Sequence, residues 1–169
     1  RVESAREAFG VLTSGREIKS KSFLDVGFGQ GLTAFCAADA GAAVYCLDVN
    51  PRCAEALELT SQYFLPEAKE KLNLISGSIL STNDVRQLRE KSVTGYDVVH
   101  SWGVLHHTGN MAKAFANCAG LVKPGGHLIV AIYNRHWSSS LWKRIKHLYC
   151  RLPRTGQKIM IRLFVPIIY

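Results

Sequence analysis

The stretch SFLDVGFGQGL, Ser22 to Leu32, constrains this chain more than any other part of it. A short apolar run ends at Val26, glycines follow at Gly27, Gly29 and Gly31, and an alanine-rich segment suited to helix begins at Leu32. A strand that feeds a helix through so tight a loop needs residues free of a Cβ, and the same freedom lets backbone approach a ligand closely. The expectation is strand, loop, helix, with a nucleotide-like cofactor on the loop.

The pattern then repeats. Gly41 fits a helix stop, and Ala43 to Val49 (AVYCLDV) reads as a second buried strand, which completes a βαβ unit. Pro51 suits the first turn of a helix running to about Phe64, with Pro66 as its stop, and Leu72 to Gly77 reads as a third strand. Asn83 is the expected cap of a helix through Lys91, and Gly95 precedes a strand from Tyr96 to Ser101. A helix from Met111 to Leu121, a turn at Lys123-Pro124-Gly125-Gly126 and a strand from His127 to Tyr133 complete the alternation. Five near-continuous apolar strands alternating with helices predict an α/β, Rossmann-like doubly wound sheet, mostly parallel, with helices on both faces. At 169 residues and 47% apolar composition the chain fits one domain: a cofactor-binding core over 1–134 and a basic amphipathic helical extension over 135–169.

The spacing of the glycines narrows the cofactor. A dinucleotide fingerprint, G-x-G-x-x-G, would place glycine where Leu32 stands. A bulky residue there gives little support beneath a pyrophosphate, whereas S-adenosylmethionine has no phosphate and needs only close approach of its aminoacyl part. Asp48 ends the second strand, where a carboxylate can accept hydrogen bonds from both ribose hydroxyls.

DVGFGQG, the LDVNP that follows, YDVVHSWGVLHHT and LVKPGGHLIVAIYN together resemble class I S-adenosylmethionine-dependent methyltransferases over about Phe23 to Asn134. The SWGVLHHT and KPGG stretches look most like the branch of ubiquinone and menaquinone biosynthesis methylases. The resemblance implies that Gly27, Gly29 and Gly31 flank the methionine moiety and that Asp25 fixes the loop or the cofactor amine. It further implies that Asp48 holds the ribose and Val49 packs on adenine. The family often carries an acidic residue after the glycine that follows the third strand; here Gly77 is followed by Ser78 and Ile79. Ser78 then supplies a weaker acceptor and the Ile79 backbone meets the ring. Ser101 is counted with these cofactor-binding residues, and S-adenosylhomocysteine is the implied product.

Ligands in open parallel sheets lie beyond the carboxyl ends of the strands, so a methyl acceptor faces Ser101 to Thr108 and Tyr133 to Asn134. Trp102, Tyr133 and Asn134 are candidates for its pocket. A hydroxyl acceptor must lose a proton, and His106 or His107 could take it, since imidazole titrates near neutral pH. The bland alternative is that one of them caps a helix or bonds the cofactor loop. Adjacent histidines with no carboxylate after Asp97 make no metal site, so no metal is expected. A methyltransferase acting on a small, lipid-soluble aromatic or hydroxyl compound is the leading function. A non-catalytic cofactor-binding module and an NAD-dependent oxidoreductase stand behind it.

Charge is distributed unevenly. Residues 98–169 carry ten lysines and arginines and no carboxylate, which accounts for the whole formal charge of +8. Lys143, Arg144, Lys146, His147 and Arg151 lie on an amphipathic helix expected from Trp137 to about Pro153, a composition suited to an anionic membrane surface. Packing of that helix on the sheet is the competing expectation, and nucleic acid ranks behind both. The five cysteines are odd in number and show no C-x-x-C, which fits a reducing cytoplasm, and the start of the chain shows no secretory signal. Ile159 to Tyr169 is apolar but too short to cross a bilayer as it stands. Nothing after Arg154 reads as the antiparallel hairpin that ends such sheets. Missing edge strands would leave an edge for chain beyond Tyr169, or for a second copy in a homo-oligomer, to cover.

Overall fold

The computed structural model describes residues 2–134 and 138–168. Its chain divides into two compact units, Arg1–Tyr133 and Asn134–Tyr169.

In the first unit, β1 (Ser22–Val26), β2 (Ala43–Asp48), β3 (Leu72–Ser76), β4 (Tyr96–Trp102) and β5 (Val122–Ala131) form one sheet. Their order is β3-β2-β1-β4-β5, with every neighbouring pair parallel. The connections are α2 (Leu32–Asp39), α3 (Arg52–Ser61), α4 (Pro66–Glu70), α5 (Thr82–Lys91) and α6 (Met111–Ala119), and α1 (Val2–Thr13) precedes the sheet. Side chains alternate across a strand, so each strand feeds two cores. Phe23, Val44, Cys46 and Val98 pack with Phe9 of α1, Phe35 of α2 and Leu57 of α3. Leu24, Val26, Leu47 and Val99 pack on the opposite face with Val85 and Leu88 of α5 and Ala114 and Cys118 of α6. Burial on both faces is why β1 and β4 are mostly apolar, their buried polar residues Asp25, His100 and Ser101 having partners of their own. The direction of winding reverses between β1 and β4, which opens a crevice at their carboxyl ends.

Several boundaries differ from expectation. Pro66 does not simply stop a helix: it opens α4, where its missing N–H would have had no partner anyway. The cap of α5 is Ser81, whose hydroxyl accepts from the Asp84 backbone N–H, and not Asn83, which lies inside the helix. Lys123 to Gly126 is not a separate turn but an insertion within β5. Tyr96 pairs with Val122 and Val98 with His127, so Asp97 alone opposes all four residues. Asp97 accepts from the Ser22 backbone N–H and hydroxyl, both at 2.9 Å, and forms an ion pair with Lys123, which ties the bulge to β1. β5 ends at Ala131, short of Tyr133.

The second unit holds α7 (Ser139–Arg151) and α8 (Arg154–Ile168), and among the described residues no strand follows β5. Trp137, the expected start of the basic helix, lies outside the described residues. Gln157 donates to the Tyr149 and Leu152 carbonyls, each at 3.1 Å, and the Trp142 and Phe164 rings lie 6.5 Å apart. Trp142, Ile145, Tyr149, Met160, Ile161 and Phe164 line an apolar cavity of about 350 Å³ between the helices. Among the described residues no helix is long and apolar enough to cross a membrane.

Candidate functional site

Gly27 leaves β1 with φ +77°, and its N–H donates to the Leu47 carbonyl at 2.7 Å. A Cβ here would lie 2.4 Å from Val104 Cγ2, so the glycine is needed both for its backbone angle and for the approach of β4's following loop. Gly29 donates its N–H to Asp48 Oδ2 at 3.2 Å, and Asn50 donates to Oδ1 at 2.9 Å. The carboxylate at the end of β2 is therefore held by two backbone donors, and each oxygen can still accept from a ligand. Gly31 precedes α2 with φ +77°, and a Cβ there would meet Leu57 Cδ1 at 3.0 Å, so this third glycine serves helix packing.

A cavity of about 420 Å³ runs along the carboxyl ends of the strands. Leu47, Asp48 and Val49 line it after β2, Gly77, Ser78 and Ile79 after β3, and Gly103, Val104, His107 and Thr108 after β4, with Gly27 between them. Val49 is 68% exposed, an apolar side chain with a face left open to the cavity. The loop after β3 is fixed from α5: the Ser78 N–H donates to Asp84 Oδ2 at 2.7 Å, and the Ser78 hydroxyl accepts from Leu80 at 3.2 Å. Asn117 of α6 donates to the Ile79 carbonyl at 2.7 Å. Asp84 thus acts on the backbone of this loop and does not itself line the cavity.

His107 is exposed and lines the cavity at its β4 end. His106 does not line it; its ring lies 4.0 Å from that of His107 and 4.8 Å from that of Tyr133. Both histidines belong to a single 3-10 turn, Leu105–His107, closed by the Thr108 hydroxyl donating to the Leu105 carbonyl at 2.8 Å. Tyr133 is exposed, and Asn134, the first residue of the second unit, is exposed as well. Ser101 is fully buried, and its hydroxyl donates to the Val26 carbonyl at 3.0 Å, tying β4 to β1 beside the glycine loop.

Asp25 and Trp102 border a second cavity, of about 260 Å³, together with Gly27, Phe28, Gln30, Leu32, Thr33 and His100. His100 Nδ1 lies 2.8 Å from Asp25 Oδ1, both side chains being 3% exposed. The sequence gives no local sign of this pairing, which depends on the register of β1 against β4. Gly103, Val104 and Thr108 fall within the segment expected to face the acceptor, although none of the three was singled out, and all line the main cavity.

A methyltransferase-domain family matches residues 5–164. The ubiquinone biosynthesis O-methyltransferase of Vibrio atlanticus is 33% identical over 132 residues, which cover 78% of this chain and 52% of that protein. The chain thus spans about half the length of the curated relatives it matches. Magnesium protoporphyrin IX methyltransferase from Synechocystis, solved with bound S-adenosylhomocysteine, shares the fold with a TM-score of 0.66 and 19% identity, over 87% of this chain and 62% of that one. An O-methyltransferase family protein from Burkholderia thailandensis gives 0.60 and 19%, over 76% and 38%.

Proposed function

The chain belongs to the class I S-adenosylmethionine-dependent methyltransferases, and from that premise we propose that it methylates a hydroxyl group on a small, lipid-soluble aromatic acceptor. The observation that carries this reading is one cavity lined by both Asp48 and His107, with a glycine between them that admits no side chain.

The residues fit the methyl donor. Asp48 can accept from both ribose hydroxyls while its own geometry is held by Gly29 and Asn50. Val49 offers apolar surface to adenine, the Ile79 backbone meets the ring, and the Ser78 hydroxyl adds a polar contact. When bound, S-adenosylmethionine supplies a methyl group made electrophilic by the sulfonium. The proton that the acceptor hydroxyl gives up as its oxygen takes the methyl group would pass to the His107 imidazole, which lines the same cavity. Such an in-line displacement gains chiefly from holding the reacting atoms at near-attack distance.

An aromatic, lipid-soluble acceptor accords with the name of the Vibrio relative and with the composition of the second unit, where cations and exposed apolar side chains suit an anionic membrane surface. Calorimetry with S-adenosylhomocysteine and transfer of a labelled methyl group to a polyprenyl catechol test the proposal. Asp48→Ala should weaken binding at least tenfold. His107→Ala should leave binding intact and lower kcat about a hundredfold, as expected for loss of a general base. A folded protein that binds no S-adenosylhomocysteine would sink the reading.

A further inference from the structure

Asp25 and His100 stand opposite each other in the parallel register of β1 and β4, on the sheet face that carries Phe23 and Val98. The His100 ring lies between those of Phe23, at 5.9 Å and 30°, and Trp102, at 6.3 Å and 14°, which fixes its plane. A carboxylate only accepts, so in the neutral ring the Asp25 contact places the hydrogen on Nδ1 and leaves a lone pair at Nε2. That Nε2 is buried and has no hydrogen-bond partner among the described residues. A buried polar atom without a partner is costly to keep, and His100 borders the second cavity. The two cavities have a single lining residue in common, Gly27.

We infer that His100 is a donor-binding residue: its Nε2 accepts a hydrogen bond from the ammonium group of S-adenosylmethionine, whose amino-acid end crosses Gly27 from the nucleoside cavity into the second one. This rests on the methyl-donor reading above. Asp25 holds the imidazole in the required tautomer and adds negative charge near a cationic group. His107, and not His100, borders the acceptor end of the main cavity, so proton removal and donor recognition fall to different histidines. His100 thereby lets the protein distinguish an intact donor from a nucleoside that lacks the amino acid.

Two probes isolate the effect: S-adenosylhomocysteine, which carries the amino-acid end, and 5′-methylthioadenosine, which has the same nucleoside without it. His100→Asn places an amide N–H where Nδ1 was and nothing where Nε2 was. Its affinity for S-adenosylhomocysteine should fall about tenfold, with that for methylthioadenosine unchanged within twofold; His100→Gln, whose amide reaches the Nε2 position, should recover part of the loss. An equal effect on both probes, or none on either, overturns the inference. In the unaltered protein, the His100 Nε2 signal of nitrogen-15-labelled histidine should shift with S-adenosylhomocysteine and not with methylthioadenosine, and an unmoved signal overturns it without any variant. If the unaltered protein binds neither probe, the methyl-donor reading fails, and His100 falls with it.

Discussion

Val104 occupies the space where a side chain on Gly27 would begin: an ideal Cβ at position 27 lies 2.4 and 2.6 Å from its two γ-carbons. The loop after β4 can close over the end of β1 only because position 27 is bare. Gly27→Ala therefore incurs two separate penalties, a left-handed backbone angle costing about 1–2 kcal/mol and a steric conflict with Val104. S-adenosylhomocysteine affinity should fall more than tenfold and the melting temperature should drop. Adding Val104→Ala should relieve the steric part and leave the backbone part. Calorimetry and thermal melts of the single and double variants would show it, and an alanine variant that binds like the parent would refute the arrangement.

Asp97 links three strands, and its titration should appear in the acid limb of stability. Burial pushes its carboxyl up, but the hydrogen bonds from Lys123 and from the Ser22 backbone and hydroxyl outweigh that and hold it below the ordinary value of 3.8. A carboxyl depressed on folding contributes stability that is complete above the unfolded value and is lost as pH falls through the folded one. The Asp97 contribution to the melting temperature should thus hold down to about pH 3.8 and be lost as pH falls below that value. Asp97→Asn should be less stable at pH 7 and show a shallower fall. Parallel profiles for the two proteins would show that Asp97 contributes nothing to the acid limb.

Strands and the glycine loop were legible because both are local: β1 and β4 are apolar runs bounded by glycine, and burial on two faces leaves few polar interruptions. What escaped depends on partners distant in sequence. Lys123 to Gly126 has turn residues, yet Asp97 and Ser22 hold it inside β5. Pro66 satisfies the same rule whether it ends one helix or begins the next, and Ser81 and Asn83 are both competent caps until the packing of Val85 and Leu88 sets the start of α5. His100 reads as one of three polar positions in β4, with Asp97 and Ser101, and only the register against β1 places it on Asp25. Helix α1 drew no expectation, although Val2, Ala5 and Phe9 recur at helical spacing and pack on the core.

The second unit yields the remaining prediction. Its described residues carry Lys143, Arg144, Lys146, Arg151, Arg154, Lys158 and Arg162 without one carboxylate, and Leu141, Trp142, Leu148, Ile159 and Ile161 are exposed. Cations near an anionic bilayer contribute about 1 kcal/mol each, and apolar side chains add burial at the interface. The protein should sediment with vesicles containing a third phosphatidylglycerol and stay in solution with phosphatidylcholine alone. Raising salt from 50 to 500 mM should release most of it, because surface attraction is screened over about a Debye length. Lys143→Gln with Arg144→Gln removes two of these charges, about 2 kcal/mol, and so should weaken vesicle binding about thirtyfold. S-adenosylhomocysteine affinity should not change, since neither residue borders either of the two cavities at the glycine loop. Equal binding to neutral vesicles, or indifference to salt, would mean that the cations serve something other than a lipid surface.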